Sequence, residues 1–128
     1  MGSDAPATAT IALVEDDVGL AELIAERLTA EGYRTLRETD GRRAVELIRR
    51  APPDLVILDI MLPGMDGFEV CRRIKGSPDT AHIPVLLVTA LSGRDDRLAG
   101  IEAGGDDFIT KPVDLKEVLL RTRNAVNM

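Results

Sequence analysis

Five times along this chain a short strand-like run gives way to an amphipathic stretch, and that alternation constrains the fold more than any other feature. The runs are Ile11–Val14, the weakly alternating Tyr33–Glu38, Leu55–Ile60, Val85–Thr89 and Asp107–Thr110. Between and after them, apolar residues recur at helical spacing. These are Leu20, Leu23, Ile24 and Leu28; Ala44, Val45, Leu47 and Ile48; Phe68, Cys71 and Ile74; Leu98 and Ile101; and Leu115, Val118 and Leu119, with Thr122 on the same inward face. The punctuation agrees. Gly32 closes the first helix, Asp40 can cap the second, and Pro52-Pro53 stops it. Asp66 with Glu69, and Ser92 with Asp95, have capping-box spacing, and Asp114 can cap the last helix. Strand–helix alternation of this kind demands a parallel sheet with helices on both faces and right-handed crossovers. Leu55–Ile60 and Val85–Thr89 are apolar without alternation, so they are expected to be buried on both faces, while Tyr33–Glu38 reads as an edge.

The strand ends carry the chemistry. The first strand runs into Glu15-Asp16-Asp17, the third into Asp59, the fourth into Thr89, and the fifth into Thr110-Lys111. All lie at the carboxyl edge of the sheet, where open α/β folds bind their ligands. An unpaired buried carboxylate costs several kcal/mol, so Asp59 at the end of an apolar run needs a partner or a role. Converging acids repel, and a divalent cation would resolve the conflict. Oxygen ligands suit hard Mg²⁺ or Mn²⁺ rather than zinc. The lone histidine, His82, falls in the loop before the fourth strand and reads as solvated. Taken singly, each residue has a plainer explanation: Asp17 could only cap the first helix, and Asp59 could only pair with Lys111. Four strand ends converging together are poorly explained that way.

Composition narrows the class. The 128 residues, 45% of them hydrophobic, fit one ordinary domain, read here as residues 10–128 behind a flexible tail, 1–9. The tail lacks the basic and apolar regions of a signal peptide, and no apolar run reaches the roughly 18 residues of a membrane span. A net charge of −6 argues against a nucleic-acid surface on this domain. Cys71 is the only cysteine, so no internal disulfide forms; it reads as core filler, and a reducing cytoplasm is compatible.

With these residues placed, the chain resembles the receiver domain of bacterial response regulators, the CheY-like phosphoacceptor of two-component signalling. The segments "ALVEDD", "PDLVILDIMLPGMDGFEVCRRIK", "IPVLLVTA" and "GIEAGGDDFITKPV" carry the likeness in order, over about residues 10 to 126. The resemblance implies a doubly wound, flavodoxin-like (βα)5 fold with strand order 2-1-3-4-5, and a cytoplasmic signalling domain rather than an enzyme. It implies that Asp59 accepts the phosphoryl group. Asp16 and Glu15 would join Asp59 and the backbone carbonyl of Met61 in holding Mg²⁺ or Mn²⁺. Thr89 and Lys111 would bind phosphoryl oxygens, Phe108 would be the switch aromatic, and Lys111-Pro112 would be cis. Met61 and Leu91 would flank the path of hydrolytic water. The implied partners are a sensor histidine kinase or phosphotransfer protein, and a second copy docking through the fourth helix, fifth strand and fifth helix. The stretch from Thr89 to Phe108 also resembles receivers fused to cyclic-dinucleotide enzymes.

Three rivals share parts of the pattern. A haloacid-dehalogenase-type phosphatase needs a second acid two residues after the nucleophile, where this chain has Met61. A flavodoxin-like FMN binder needs a hydroxyl-rich phosphate loop after the first strand, and "EDD" would repel the phosphate. The third is an interaction module that keeps the fold but never takes phosphate. Retention of every acid and of Lys111 weighs against it.

Overall fold

The structure, a computed structural model, describes residues 8–90 and 94–127. Its elements alternate as read: β1 (Thr10–Val14), α1 (Val18–Ala30), β2 (Arg34–Glu38), α2 (Gly41–Arg50), β3 (Leu55–Asp59), α3 (Gly67–Lys75), β4 (Val85–Thr89), α4 (Arg94–Glu102), β5 (Asp107–Thr110) and α5 (Leu115–Val126). All four strand pairings are parallel, and the order is β2-β1-β3-β4-β5. The doubly wound sheet is thus the one expected. Tyr33 lies outside β2 and Ile60 outside β3, each by one residue.

Two apolar layers sandwich the sheet. One joins Ala12, Val14, Val56, Leu58 and Leu87 to α2 (Ala44, Val45, Ile48), α3 (Val70, Cys71, Ile74) and Ala103. The other joins Ile11, Leu13, Ile57 and Val88 to α1 (Ile24, Leu28) and α5 (Val118, Leu119). β3 and β4 are buried throughout and β2 is only half-covered, as unalternating and alternating runs require. Cys71 is buried, and that burial pushes its thiol up to about 11, which suits a filler and not a nucleophile.

Two helices depart from the expectation, α1 at one position and α4 more widely. In α1, Ile24 and Leu28 face inward and Leu20 is half-buried, as expected, but Leu23 is exposed and Ala21 and Ala25 complete the inward stripe. In α4, Leu98 and Ile101 are 45% and 58% exposed rather than inward; among the described positions the inward ones are Gly100 and, just past the helix, Ala103. Small residues explain both. A Cβ on Gly100 would overlap Cε1 of Phe108 and lie 3.2 Å from Cδ1 of Leu87, so α4 approaches the sheet through a residue without a side chain.

Caps hold the helix starts. Asp17, Asp40, Asp66 and Asp114 each accept a backbone N–H from their first turn. The expected capping box at Asp66 is half made: Asp66 accepts the Glu69 N–H, while the Glu69 carboxylate turns to Arg72 and Arg73. Ser92, the other expected cap, lies outside the described residues, as do residues 1–7 of the expected tail.

Candidate phosphoacceptor and metal site

Parallel pairing brings the strand ends into one row. Asp59 ends β3 opposite Val88, and Thr89 ends β4 opposite Thr110. The Lys111 N–H donates to the Thr89 carbonyl at 2.7 Å, so β5 delivers its lysine to the same edge. Glu15 continues β1, its N–H donating to the Glu38 carbonyl at 3.0 Å. Glu15 and Asp59 are each only 2% exposed, and Thr89 is buried beside them.

Two buried carboxylates need compensation, and the structure supplies it. Lys111 Nζ donates to Asp59 Oδ2 at 2.9 Å and lies 3.5 Å from Glu15 Oε1. The Met61 N–H donates to Asp59 Oδ1 at 3.1 Å, and the Asp17 N–H to Glu15 Oε2 at 3.1 Å. Compensation is incomplete. Burial first, and then contact with Asp59, push the Glu15 carboxyl up to about 8. Lys111 is held above its usual range; burial acts against this, but its bonds to Asp59 and its attraction to Glu15 prevail.

Such a site has room for more positive charge. Oxygens of Glu15, Asp16 and Asp59 all lie within 4.8 Å of one another, with Asp16 exposed at the mouth. An all-oxygen donor set of this kind fits a hard cation such as Mg²⁺. The site opens toward a surface groove of about 530 Å³ lined by Asp16, Ile60, Met61, Leu62, Asp66 and Phe68. Asp17 is the helix cap, accepting the Leu20 N–H at 3.1 Å, and stands apart from the three-acid cluster. Phe108 is half-buried against the α2–α3–α4 layer. The Lys111–Pro112 bond is cis. Met61 is 63% exposed, with its backbone at the site. His82 is exposed, away from the cluster, and Leu91 lies outside the described residues.

The support beneath this row is backbone packing, which side-chain patterns do not reveal. The loop after Asp59 rests on the start of α2: the Gly41 N–H donates to the Pro63 carbonyl at 3.1 Å, and a Cβ on Gly41 would overlap the Met65 carbonyl oxygen. Gly64 turns the loop at φ +80°, with the Asp40 carboxylate 2.9 Å from where its Cβ would be. Gly67 then closes the loop: its N–H donates to the Ile60 carbonyl at 2.8 Å, and a Cβ there would overlap the Asp59 carbonyl oxygen. Glycine in a first helical turn is costly, so Gly41 directly after the Asp40 cap was the available sequence signal. Gly67→Ala should cost about 3 kcal/mol through overpacking against backbone that cannot swing aside. Urea unfolding measures it; an unchanged midpoint would mean the loop yields.

Comparison with known proteins agrees with this geometry. Residues 11–123 match the family model described as the response regulator receiver domain. The response regulator PleD of Caulobacter vibrioides is 46% identical over 117 residues, 91% of this chain and 26% of PleD. The DNA-binding dual master transcriptional regulator RpaA of Synechocystis is 41% identical over 113 residues, 88% of this chain and 47% of RpaA. The chain therefore spans from about a quarter to about half the length of these relatives. Among solved structures, the receiver domain of sensor histidine kinase PA1611 from Pseudomonas aeruginosa PAO1, with a magnesium ion coordinated in its active-site cleft, superposes with a TM-score of 0.88 at 29% identity, covering 95% of this chain and 100% of that one. The BeF3-activated receiver domain of RstA from Klebsiella pneumoniae gives a TM-score of 0.84 at 37% identity, covering 93% and 99%.

Proposed function

Since this chain belongs to the response regulator receiver domain family of two-component systems, we propose that Asp59 takes a phosphoryl group from a phosphohistidine on a sensor kinase or phosphotransfer protein. One observation carries the reading: a buried strand-end carboxylate bonded to Lys111 and flanked by two further acids at metal-binding distance. An Asp59 oxygen attacks phosphorus, the bond from phosphorus to the histidine nitrogen breaks, and its electron pair stays on the imidazole. Lys111 moves from the carboxylate to a phosphoryl oxygen, and Thr89 bonds another. Glu15, Asp16, Asp59 and the Met61 carbonyl hold Mg²⁺, which offsets repulsion between the anionic donor and acceptor. Incubation with acetyl phosphate and Mg²⁺, followed by intact-mass spectrometry, tests the reading. It predicts a gain of one phosphoryl group, lost when the metal is chelated. An unchanged mass would favour the phosphorylation-independent interaction module.

The new dianion draws Thr89 toward it, and the ring of Phe108 follows into the space left behind. The switch thereby reshapes the α4–β5–α5 surface and controls an output domain or partner. That surface exposes Leu98, Ile101 and Leu120. With beryllofluoride and Mg²⁺ the chain should sediment as a dimer, and Ile101→Glu should return it to monomer. A monomer at high concentration with the mimic bound would remove the dimerisation proposal.

Acyl-phosphate lifetime is read from Met61 and Leu91, neither of which can orient an attacking water. Met61→Asn should speed hydrolysis on the order of tenfold by positioning that water. Loss of the phosphorylated mass with time measures it, and an unchanged half-life would take Met61 out of the hydrolytic path.

A further inference from the structure

The chain's charge is unevenly placed. The adjacent helices α2 and α3 present six exposed arginines, Arg42, Arg43, Arg49, Arg50, Arg72 and Arg73, against two glutamates, Glu46 and Glu69. That face therefore carries a surplus of four positive charges in a chain of net charge −6, which leaves −10 on the remainder. Among the described residues none of the four α2 arginines is in an ion pair, and Arg72 and Arg73 share the one carboxylate of Glu69, at 3.1 and 2.9 Å. A cleft of about 270 Å³ runs between the helices, lined by Arg49, Glu69, Arg72, Arg73, Gly76 and Ser77.

Helix stabilisation accounts for only part of this. Arginines in the last turns of α2 and α3 complement the negative end of the helix dipole. Arg42 and Arg43 lie in the first turn of α2, where a cation is disfavoured. The phosphoacceptor chemistry makes no use of the face either.

We propose that the α2–α3 face docks an acidic segment of a partner protein. Arginine suits the task because its planar fork pairs bidentately with carboxylates. Arg42 and Arg49 are seven residues apart, about 10 Å along the helix. A polyproline-II segment, with three residues per turn and about 3.1 Å per residue, spans that distance in about three residues and keeps every third side chain on one face, so the matching ligand carries an acid at every third position. The same charge map disfavours nucleic acid: a long duplex would overrun the basic patch and meet the net negative charge of the rest of the chain.

The probe is a fluorescein-labelled peptide of Glu-Gly-Ser repeats, followed by fluorescence anisotropy with the whole chain. Saturable binding that weakens with salt is expected. Arg49→Gln combined with Arg73→Gln should weaken it at least tenfold, while Arg123→Gln, an exposed position on α5, should change it less than twofold. Absence of saturable binding, equal losses in the two variants, or tighter binding of duplex DNA of matched charge would each overturn the proposal. The readout is independent of phosphorylation, so failure here leaves the assignment of Asp59 standing.

Discussion

Asp59→Asn is expected to reduce phosphoryl incorporation from acetyl phosphate to background, because a neutral amide offers no carboxylate oxygen for attack on phosphorus. The same change should alter metal-free stability in a direction set by Glu15. The Glu15 carboxyl ordinarily titrates near 4.5 and is raised to about 8 in the folded chain. Between those values the folded state holds more protons than the unfolded one, so stability falls as pH rises through that window. Burial, the larger cause, survives the substitution; the contact with Asp59 does not. The variant should therefore lose less stability from pH 5 to pH 8 than the parent. Urea titrations at the two pH values without divalent metal measure the difference. Parallel pH profiles would show that Asp59 does not act on Glu15. Lys111 stays charged across the whole window and adds no slope of its own.

Lys111→Met tests the opposite charge. Its ammonium, 27% exposed, is the counterion shown for two carboxylates that are each 2% exposed. Removing one partner of a buried pair leaves the other uncompensated, a loss of roughly 2–3 kcal/mol here after allowing for the partial exposure of the lysine. Two remedies should shrink the deficit. Acidification protonates Glu15, and Mg²⁺ supplies charge while stabilising the folded state by mass action. Unfolding midpoints at pH 8 should thus lie far below the parent's without Mg²⁺ and close to it with saturating Mg²⁺. A deficit that is the same with and without metal would mean that Lys111 contributes packing by its stem rather than charge. Phosphoryl incorporation should remain low even with metal, since the oxygen that Lys111 would bind has no substitute donor.

Much of this was legible because large apolar residues and charges leave strong marks. β3 and β4 read correctly since burial on both faces leaves no polar residue in either run before its end. The site was legible for the complementary reason: charge placed at the end of such a run has few inexpensive explanations, and parallel topology puts all such ends together. What escaped was written in small residues. The inward positions described at α4 and its end are Gly100 and Ala103, so a reading that looks for leucine and isoleucine chose Leu98 and Ile101 and turned the helix outward. In α1 the same effect shifted only one position, Leu23, whose place in the stripe Ala21 and Ala25 take. The seating of the Pro63–Met65 loop on Gly41 is a contact between backbones, and side-chain periodicity carries no record of it.

The spread of the site along the chain bears on biosynthesis. Its side chains come from positions 15, 16, 59, 89 and 111, at the ends of four different strands. During synthesis β4, whose Val88 lies opposite Asp59, emerges after β3, and Lys111 emerges only after β5. Long-range parallel pairing of this sort is slow to form. A nascent or partly unfolded chain would thus expose Asp59, the acceptor proposed above, without Lys111 and the strand-one acids beside it. On the proposed reading, competence to take a phosphoryl group would be tied to completion of the domain.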